Sequence, residues 1–165
     1  MRPRNVLLLL FALLLAPLAW AQTKISGTLQ CGKADPSYAI PVGDQPGHVF
    51  AIRKGKCTWT KSLEIAGMEA KDVEITGFGD IRGVRGQARG ESVGTVSNGD
   101  KFFATDQGAL TVKEAVTQEE GTWSFTGGTG KLMGIKGKGT LKGKIGADGI
   151  GTYEISGEYQ LPPAN

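Results

Sequence analysis

The sequence predicts an all-β protein, a single antiparallel β-barrel of about eight short strands between residues 24 and 161. Glycine or a β-branched run interrupts every segment that would sustain a helix of about ten residues. Apolar side chains recur instead at every second position, and turn-forming clusters such as Ser97-Asn98-Gly99-Asp100 separate the alternating segments. An open β-sandwich is the alternative architecture.

Residues 1–21 have the pattern of a secretory signal peptide. Arg2 and Arg4 make a positively charged start, Val6–Leu15 is apolar, and Ala19-Trp20-Ala21 is a small-residue cleavage motif. The apolar run is shorter than the roughly 20 residues that a membrane span needs. We therefore expect cleavage before Gln22, a mature β-barrel domain of residues 22–165, no membrane span after cleavage, and a periplasmic or extracellular location.

The mature chain gives no bulk electrostatic argument for a nucleic-acid partner. Cleavage removes Arg2 and Arg4, which leaves 17 basic and 16 acidic side chains and a net charge of +1, against +3 for the full chain. A nearly neutral domain attracts neither nucleic acid nor an anionic membrane through its overall charge. We expect no nucleic-acid partner.

The first strand begins near Lys24 and carries Cys31, which together with Cys57 makes up all the cysteine of the chain. An even pair in a small exported domain predicts a disulfide, which in the chain-entropy model stabilises the fold by roughly 3–4 kcal/mol. Two sulfurs and the single imidazole of His48 do not complete a zinc site, so we expect no metal and no cofactor.

His48 follows a Pro46-Gly47 turn and has two interpretations. In the functional one, Asp44 orients His48 as a general base or ligand contact. In the other, which we favour, His48 is the polar first residue of a strand, because no Ser or Cys nucleophile accompanies it by motif.

Phe102 and Phe103 are adjacent, so period two places one ring on each face of their strand. The outward ring would suit an oligomer interface if other apolar groups lie beside it.

The last two strands have the clearest alternation. Four lysines and Thr140 occupy the even positions of residues 136–144, with glycine and leucine between them, and residues 152–158 alternate polar with apolar. A three-residue loop ending at Gly149 in the left-handed conformation would set Lys144 opposite Thr152, Lys142 opposite Glu154, and Lys138 opposite Glu158. We interpret the inward glycines as room for strand bending and for aromatic rings of other strands.

The segment Trp123–Leu132, with its Thr126-Gly127-Gly128-Thr129-Gly130-Lys131 run, is the most conspicuous motif. It is not a phosphate-binding loop, because Leu132 follows the lysine and Phe125 stands where such a loop needs glycine. The pattern predicts a tight connection between two strands.

This segment, continuing to Gly137, resembles the Gly-Gly-Thr-Gly hairpin of the allene oxide cyclase and dirigent β-barrel superfamily, and the mature chain resembles small secreted bacterial proteins that carry this module. The resemblance implies an eight-stranded barrel, commonly trimeric, that binds small lipophilic or phenolic molecules. It therefore implies a small lipophilic ligand and homo-oligomers as partners. It carries over no catalytic residue.

Three functions are compatible with these patterns. The first is a non-catalytic barrel that holds a small apolar or amphipathic ligand in a cavity of roughly 300 Å³ or more. Its expected contacts are Trp123, Phe125, Tyr153, Tyr159 and His48. The second is a structural or interaction module of the cell envelope. The third, a cyclase-like or isomerase-like enzyme, needs inward titratable groups and ranks last, since most charged residues in the clear strands face outward by parity.

Overall fold

A computed structural model describes residues 22–163 and confirms the all-β prediction. These residues contain no α-helix, and the short connection after Gly128 includes one 3-10 helix, Gly130–Leu132. The strands in chain order are β1 (Thr23–Cys31), β2 (Ser37–Pro41), β3 (His48–Lys61), β4 (Glu64–Ile65), β5 (Met68–Arg82), β6 (Arg85–Val96), β7 (Lys101–Lys113), β8 (Val116–Gly128), β9 (Lys136–Ile145) and β10 (Gly151–Gln160). The predicted signal peptide, residues 1–21, lies outside the described residues.

Eight of these strands close into an antiparallel barrel, which excludes the open sandwich. From β1 the ladder runs through β10, β9, β8, β7, β6 and β5 to β3, and β3 pairs back to β1. The strands β2 and β4 are short additions, each paired to one neighbour only: β2 to β3, and β4 to β5. Closure gives every long strand two hydrogen-bonded neighbours, which removes the exposed edges of an open sheet.

The barrel strands are longer than the short ones expected. They span 9 to 15 residues, the longest being β5. Register shifts interrupt the pairing at Ala70/Val73 and Phe103/Ala104, where the ladder continues past the irregularity. Many glycines that punctuate the sequence therefore lie inside strands, where they and the bulges let a long strand coil around a narrow interior.

The β9–β10 hairpin has the predicted register. Thr152 lies opposite Lys144, Glu154 opposite Lys142, and Glu158 opposite Lys138. The Gly146 N–H donates to the Ile150 carbonyl at 2.9 Å, which closes a three-residue loop, and Gly149 has φ +82°. Period-two patterning and loop chemistry were sufficient here because both act between residues close in sequence.

One end of the barrel is filled by side chains. Leu63, Ile65, Leu132 and Ile135 are at most 2% exposed and belong to one apolar cluster with Phe102 and Val96. These residues come from β4, from the 3-10 helix and from positions at or next to the ends of strands that meet at the same rim. The Thr126–Leu132 motif supplies a strand connection, as its structural interpretation predicted, and in addition part of the plug.

Cys31 and Cys57 form the predicted disulfide. They lie directly opposite each other on β1 and β3, and both are buried on the inner face. The bond therefore crosslinks the pair of strands that closes the barrel.

Candidate functional site

The barrel interior contains a cavity of about 170 Å³ between the plug and the opposite mouth. It extends to Gly32, Ala34 and Gly149, which lie in the loops at that mouth. The expected volume of 300 Å³ or more was too large, because aromatic side chains occupy much of the interior. A cavity of about 150 Å³ is known to accept benzene, so this one has the size of a single small ring.

Three of the predicted ligand contacts, Trp123, Phe125 and Tyr153, line this cavity. The Trp123 ring lies over Gly139 and Gly157, where an added Cβ would come 2.7 Å from ring atoms, and its Nε1 donates to the Ser156 carbonyl at 3.3 Å. Glycine on β9 and β10 therefore provides the volume that the indole of β8 fills, in agreement with the interpretation of the inward glycines.

Tyr153 uses glycine in the same way. A Cβ at Gly143 would overlap the Tyr153 ring, which lies across β9 towards Glu119 on β8. In the ladder, Tyr153 lies opposite Gly143 and Gly143 opposite Glu119. Both Tyr153 and Glu119 line the cavity, and Gly143 is the one residue between them on their cross-strand row.

Charged groups from strands with less regular alternation also line the cavity. They are Arg53 on β3, Asp106 on β7 and Glu119 on β8. Arg53 and Asp106 lie on one cross-strand row, in which Gly77 of β5 and Gly90 of β6 are the only residues between them. These glycines carry no side chain that would separate the guanidinium and the carboxyl group.

Burial makes the interior acids hold their protons more tightly. Desolvation, with the charge of Asp106 added and partly offset by Arg53, raises the pKa of Glu119 to about 7. Desolvation, followed by the charge of Glu91, raises the pKa of Asp106. Desolvation and Glu119 together raise the pKa of Tyr153 to about 12. A carboxyl group with a pKa near neutrality is typical of functional sites.

Polar groups of this interior lack partners. Within residues 22–163, neither Asp106 nor Glu119 makes a hydrogen bond or an ion pair, and Arg53 lies beyond 4.0 Å of any carboxylate oxygen. Trp59, which also lines the cavity, has a buried Nε1 with no hydrogen-bond partner among the described residues. Buried polar groups are normally paired, so this interior has both donors and acceptors available to a bound molecule.

The other two predicted contacts lie away from the cavity. Tyr159 is buried at the plugged end, where its hydroxyl accepts a 2.8 Å hydrogen bond from the Ala66 N–H. His48 is the first residue of β3, as its structural interpretation predicted, and is 3% exposed on the outer side of the barrel wall. The structure therefore does not bring these two residues together with Trp123, Phe125 and Tyr153.

His48 lies between two carboxylates. Its Nδ1 is 2.5 Å from Asp44 and its Nε2 is 3.0 Å from Asp80, and its ring meets that of Phe50 edge to face at 5.3 Å. The hydrogen bond to His48 lowers the pKa of Asp44, and the bond from Arg82, followed by that of His48, lowers the pKa of Asp80. Both ring nitrogens are occupied, so His48 fastens the 42–47 loop to β5 and has no free nitrogen for a substrate.

The sequence contained a signal for the inward charges. Glu119 is four residues from Trp123, Arg53 is four from Cys57, and Asp106 is four from Phe102, so each shares a face with a predicted or possible inward residue. The strands that carry these three charges alternate less regularly than residues 136–144 and 152–158, so period two alone does not show that the charges face inward.

No family model matches the chain, and no curated protein matches it. Among solved structures, the pterocarpan synthase dirigent protein PsPTS1 is similar, with a TM-score of 0.48 and 13% identity over 87% of this chain and 97% of that one. The pterocarpan synthase dirigent protein GePTS1 is similar with a TM-score of 0.46 and 15% identity over 88% of each chain. The resemblance of the Gly-Gly-Thr-Gly hairpin to the allene oxide cyclase and dirigent superfamily stays a prediction.

Membrane-spanning helices and metal-binding clusters are both absent from residues 22–163. None of their helices is long and apolar enough to cross a membrane. Nor do these residues include a group of three or more His, Cys, Asp and Glu side chains that would hold a metal ion.

Proposed function

We propose that the protein binds one small amphipathic molecule inside the barrel, with its apolar ring against Trp123 and Phe125. The observation that carries this proposal is a pair of carboxyl groups, Asp106 and Glu119, that have no hydrogen-bond or ion-pair partner among residues 22–163 and lie inside an otherwise largely apolar cavity. Hydrogen bonds to carboxyl groups are among the stronger ones in proteins. A ligand that donates to Asp106 or Glu119 gains affinity from such a bond, so the interior favours a ligand with a donor group.

The cavity limits the size and the polar group of the ligand. About 170 Å³ admits one ring with a short substituent. The cavity has two carboxyl groups and one guanidinium. It therefore favours a ligand with a hydrogen-bond donor, such as a hydroxyl or an ammonium group, over a ligand with a carboxylate. The ligand class is therefore a ring of benzene size with one donor group.

Native mass spectrometry of the protein purified from its own source, without detergent, tests whether such a ligand is present. Excess mass that disappears on denaturation supports the proposal and gives the ligand's mass. A spectrum at the bare polypeptide mass, together with no binding of the probes below, contradicts it.

Matched probes test the chemistry of the site. Benzylamine and toluene share a ring, but only benzylamine carries a donor. Titration followed by Trp fluorescence should show tighter binding of benzylamine, and the preference should shrink in Glu119→Gln. The matched control is Glu154→Gln, an exposed glutamate on the outer face of β10. Equal affinity for both probes would contradict the assigned role of the carboxyl groups.

A second candidate function is acid–base catalysis on the bound molecule. It is favoured by Glu119, because a carboxyl group with a pKa of about 7 both gives and takes a proton near neutral pH. If the ligand found by mass spectrometry is converted on incubation, Glu119→Gln should abolish conversion and retain binding. Conversion at an unchanged rate would exclude Glu119 as the acid–base group, and no conversion by the wild-type protein would leave the non-catalytic barrel as the function.

Export belongs to the same proposal. The Cys31–Cys57 disulfide is typical of proteins that fold in oxidising compartments, and residues 1–21 have the pattern of a signal peptide. The proposed working form is the barrel domain of residues 22–165, located in the periplasm or outside the cell.

A further inference from the structure

Exposed apolar side chains are concentrated on β2, on its hairpin partner β3 and in the loop that joins them. Five of the nine large apolar side chains that are exposed among residues 22–163 lie here: Tyr38, Ile40, Val42, Phe50 and Ile52. Tyr38 and Ile40 are the most exposed of them, at 64% and 65%. Tyr38 lies opposite Ile52 and Ile40 opposite Phe50, so these four side chains share one face of the sheet. Exposed apolar groups that adjoin in this way mark interaction surfaces, whereas single ones do not.

The backbone of β2 is unpaired along its outer edge. Among the described strands β2 pairs with β3 alone. The Lys54 N–H donates to the Pro36 carbonyl at 2.9 Å and the Val42 N–H donates to the His48 carbonyl at 3.0 Å. In an antiparallel ladder hydrogen-bonded pairs alternate with non-bonded pairs, so the groups of Ser37, Ala39 and Pro41 point to the free edge.

This edge is complementary to a second copy of itself. Consider two β2 strands related by a two-fold axis at Ala39. Each Ala39 N–H then donates to the Ala39 carbonyl of the partner subunit, and each Ser37 N–H donates to the Pro41 carbonyl of the partner subunit. Pro41 has no N–H to leave unpaired. Every free N–H between Ser37 and Pro41 finds an acceptor in this register.

The side chains fit the same arrangement. Tyr38 lies opposite Ile40 of the partner subunit, so the two exposed apolar faces become one continuous face. The segment from Pro36 to Gly43 carries no charged residue, and like charges therefore do not oppose each other across the axis. Sheet edges of proteins that stay monomeric are commonly protected by charges, and β2 lacks this protection.

From these features we propose that β2 is a homodimer interface, at which two barrels pair edge to edge through antiparallel Ser37–Pro41 strands. The inference concerns the outside of the barrel and is independent of a ligand inside it.

A charge-exchange experiment tests both the partner and the register. One variant carries Tyr38→Lys with Ile40→Lys, and the other carries Tyr38→Glu with Ile40→Glu. Both positions are largely exposed, so neither variant disturbs the core. Analytical ultracentrifugation should show a dimer for the wild-type protein, a monomer for each variant alone, and a dimer again when the two variants are mixed.

Two further variants separate edge pairing from general stickiness. Ala39→Pro removes the central free donor without removing a bond to β3, and should weaken dimerisation by about tenfold or more. Met133→Lys changes an exposed apolar residue elsewhere, at 68% exposure, and should leave the dimer intact. Hydrogen exchange of the Ser37 and Ala39 amides should slow as protein concentration rises.

Three outcomes would overturn the proposal. A wild-type protein that stays monomeric at high concentration would leave the β2 edge to a different protein. A dimer that survives Ala39→Pro, with fast exchange at Ser37 and Ala39, would lie on another surface. Variants that do not restore the dimer on mixing would exclude the register centred on Ala39.

Discussion

At the scale of single residues, the chemistry of the barrel interior depends on a few charged side chains. Apolar side chains would fill so small an interior equally well. Glu119 and Asp106 are acids within an apolar cavity, and Arg53 only partly balances them. Groups of this kind destabilise a fold when they ionise. Their presence is more easily explained by binding or proton transfer than by packing.

Glu119 should make the stability of the protein depend on pH. Its pKa is about 7 in the fold against 4.5 as its ordinary value, so between these two pH values the folded protein holds a proton that the unfolded chain has released. The contribution of Glu119 to the free energy of unfolding is therefore full below pH 4.5 and is lost as pH rises towards 7, which amounts to about 3 kcal/mol from this group. Urea unfolding at pH 5 and pH 8, with the disulfide intact, measures the difference.

The matched variant for this prediction is Glu119→Gln. It cannot ionise, so the loss of stability between pH 5 and pH 8 should be smaller than in the wild-type protein. Glu154→Gln, on the outer face, should retain the full wild-type loss. An identical pH dependence in all three proteins would show that Glu119 is ionised throughout this range.

At the scale of strands, glycine on one strand receives a side chain from a neighbouring strand. Trp123 of β8 lies over glycines of β9 and β10, and Tyr153 of β10 lies over Gly143 of β9. These glycines weaken the strand in isolation. In the barrel they allow large rings to fit within a narrow interior, and they determine how much of the cavity stays empty.

Gly143→Ala tests this use of glycine. The new Cβ would overlap the Tyr153 ring, so the ring or the strand must move. Overpacking of this kind lowers the free energy of unfolding by about 1–3 kcal/mol. The matched control is Gly55→Ala, since a Cβ at Gly55 meets nothing within 4 Å and Gly55 lines the same cavity. Denaturant unfolding of both variants gives the comparison; equal stability of the two would contradict it.

The disulfide acts on the strand pair that completes the barrel. Cys31 and Cys57 are 26 residues apart, and a crosslink over a loop of this length stabilises by roughly 3–4 kcal/mol in the chain-entropy model. Wild-type protein reduced with dithiothreitol should therefore unfold at a lower urea concentration than the oxidised protein. Cys31→Ala with Cys57→Ala should behave as the reduced protein does. Coincident unfolding curves for the oxidised and reduced forms would show that β1 and β3 need no crosslink.

At the scale of the whole molecule, the barrel presents two distinct surfaces, a small interior and the outer face of β2 and β3. The interior is closed at one end by the plug and reaches the loops at the other. The β2 strand lies where β1 has ended, on the same edge of β3. Ligand binding and association of two copies can therefore be measured separately.

Export is a prediction about the whole chain. N-terminal sequencing of the protein recovered from the exported fraction should begin at Gln22, because signal peptidase cleaves after the Ala19-Trp20-Ala21 motif. Replacing Ala19 and Ala21 by larger residues should retain the precursor in the cell. Exported protein that begins at Met1 would contradict the assignment of residues 1–21.

The sequence by itself determined the features that depend on neighbouring residues. Period-two alternation identified the strand class, the charges and Gly149 identified the β9–β10 register, and the even pair of cysteines identified the disulfide. It also placed Trp123, Phe125 and Tyr153 on inward faces. These features follow from local rules of backbone geometry, so they can be recognised without knowing which distant strands meet.

Only the tertiary structure decided which distant residues share the interior. Arg53 and Asp106 lie on one cross-strand row with two glycines of other strands between them, and Glu119 and Tyr153 lie on another row with one glycine between them. Likewise, β1 and β2 pair with different parts of the same edge of β3. Among the described strands no other one pairs with β2, so its outer edge is free. Closure of a barrel is set by pairing between strands far apart in the chain, and its register depends on the summed packing of the whole interior. The composition of the site is therefore a property of the closed barrel and not of any one of its strands.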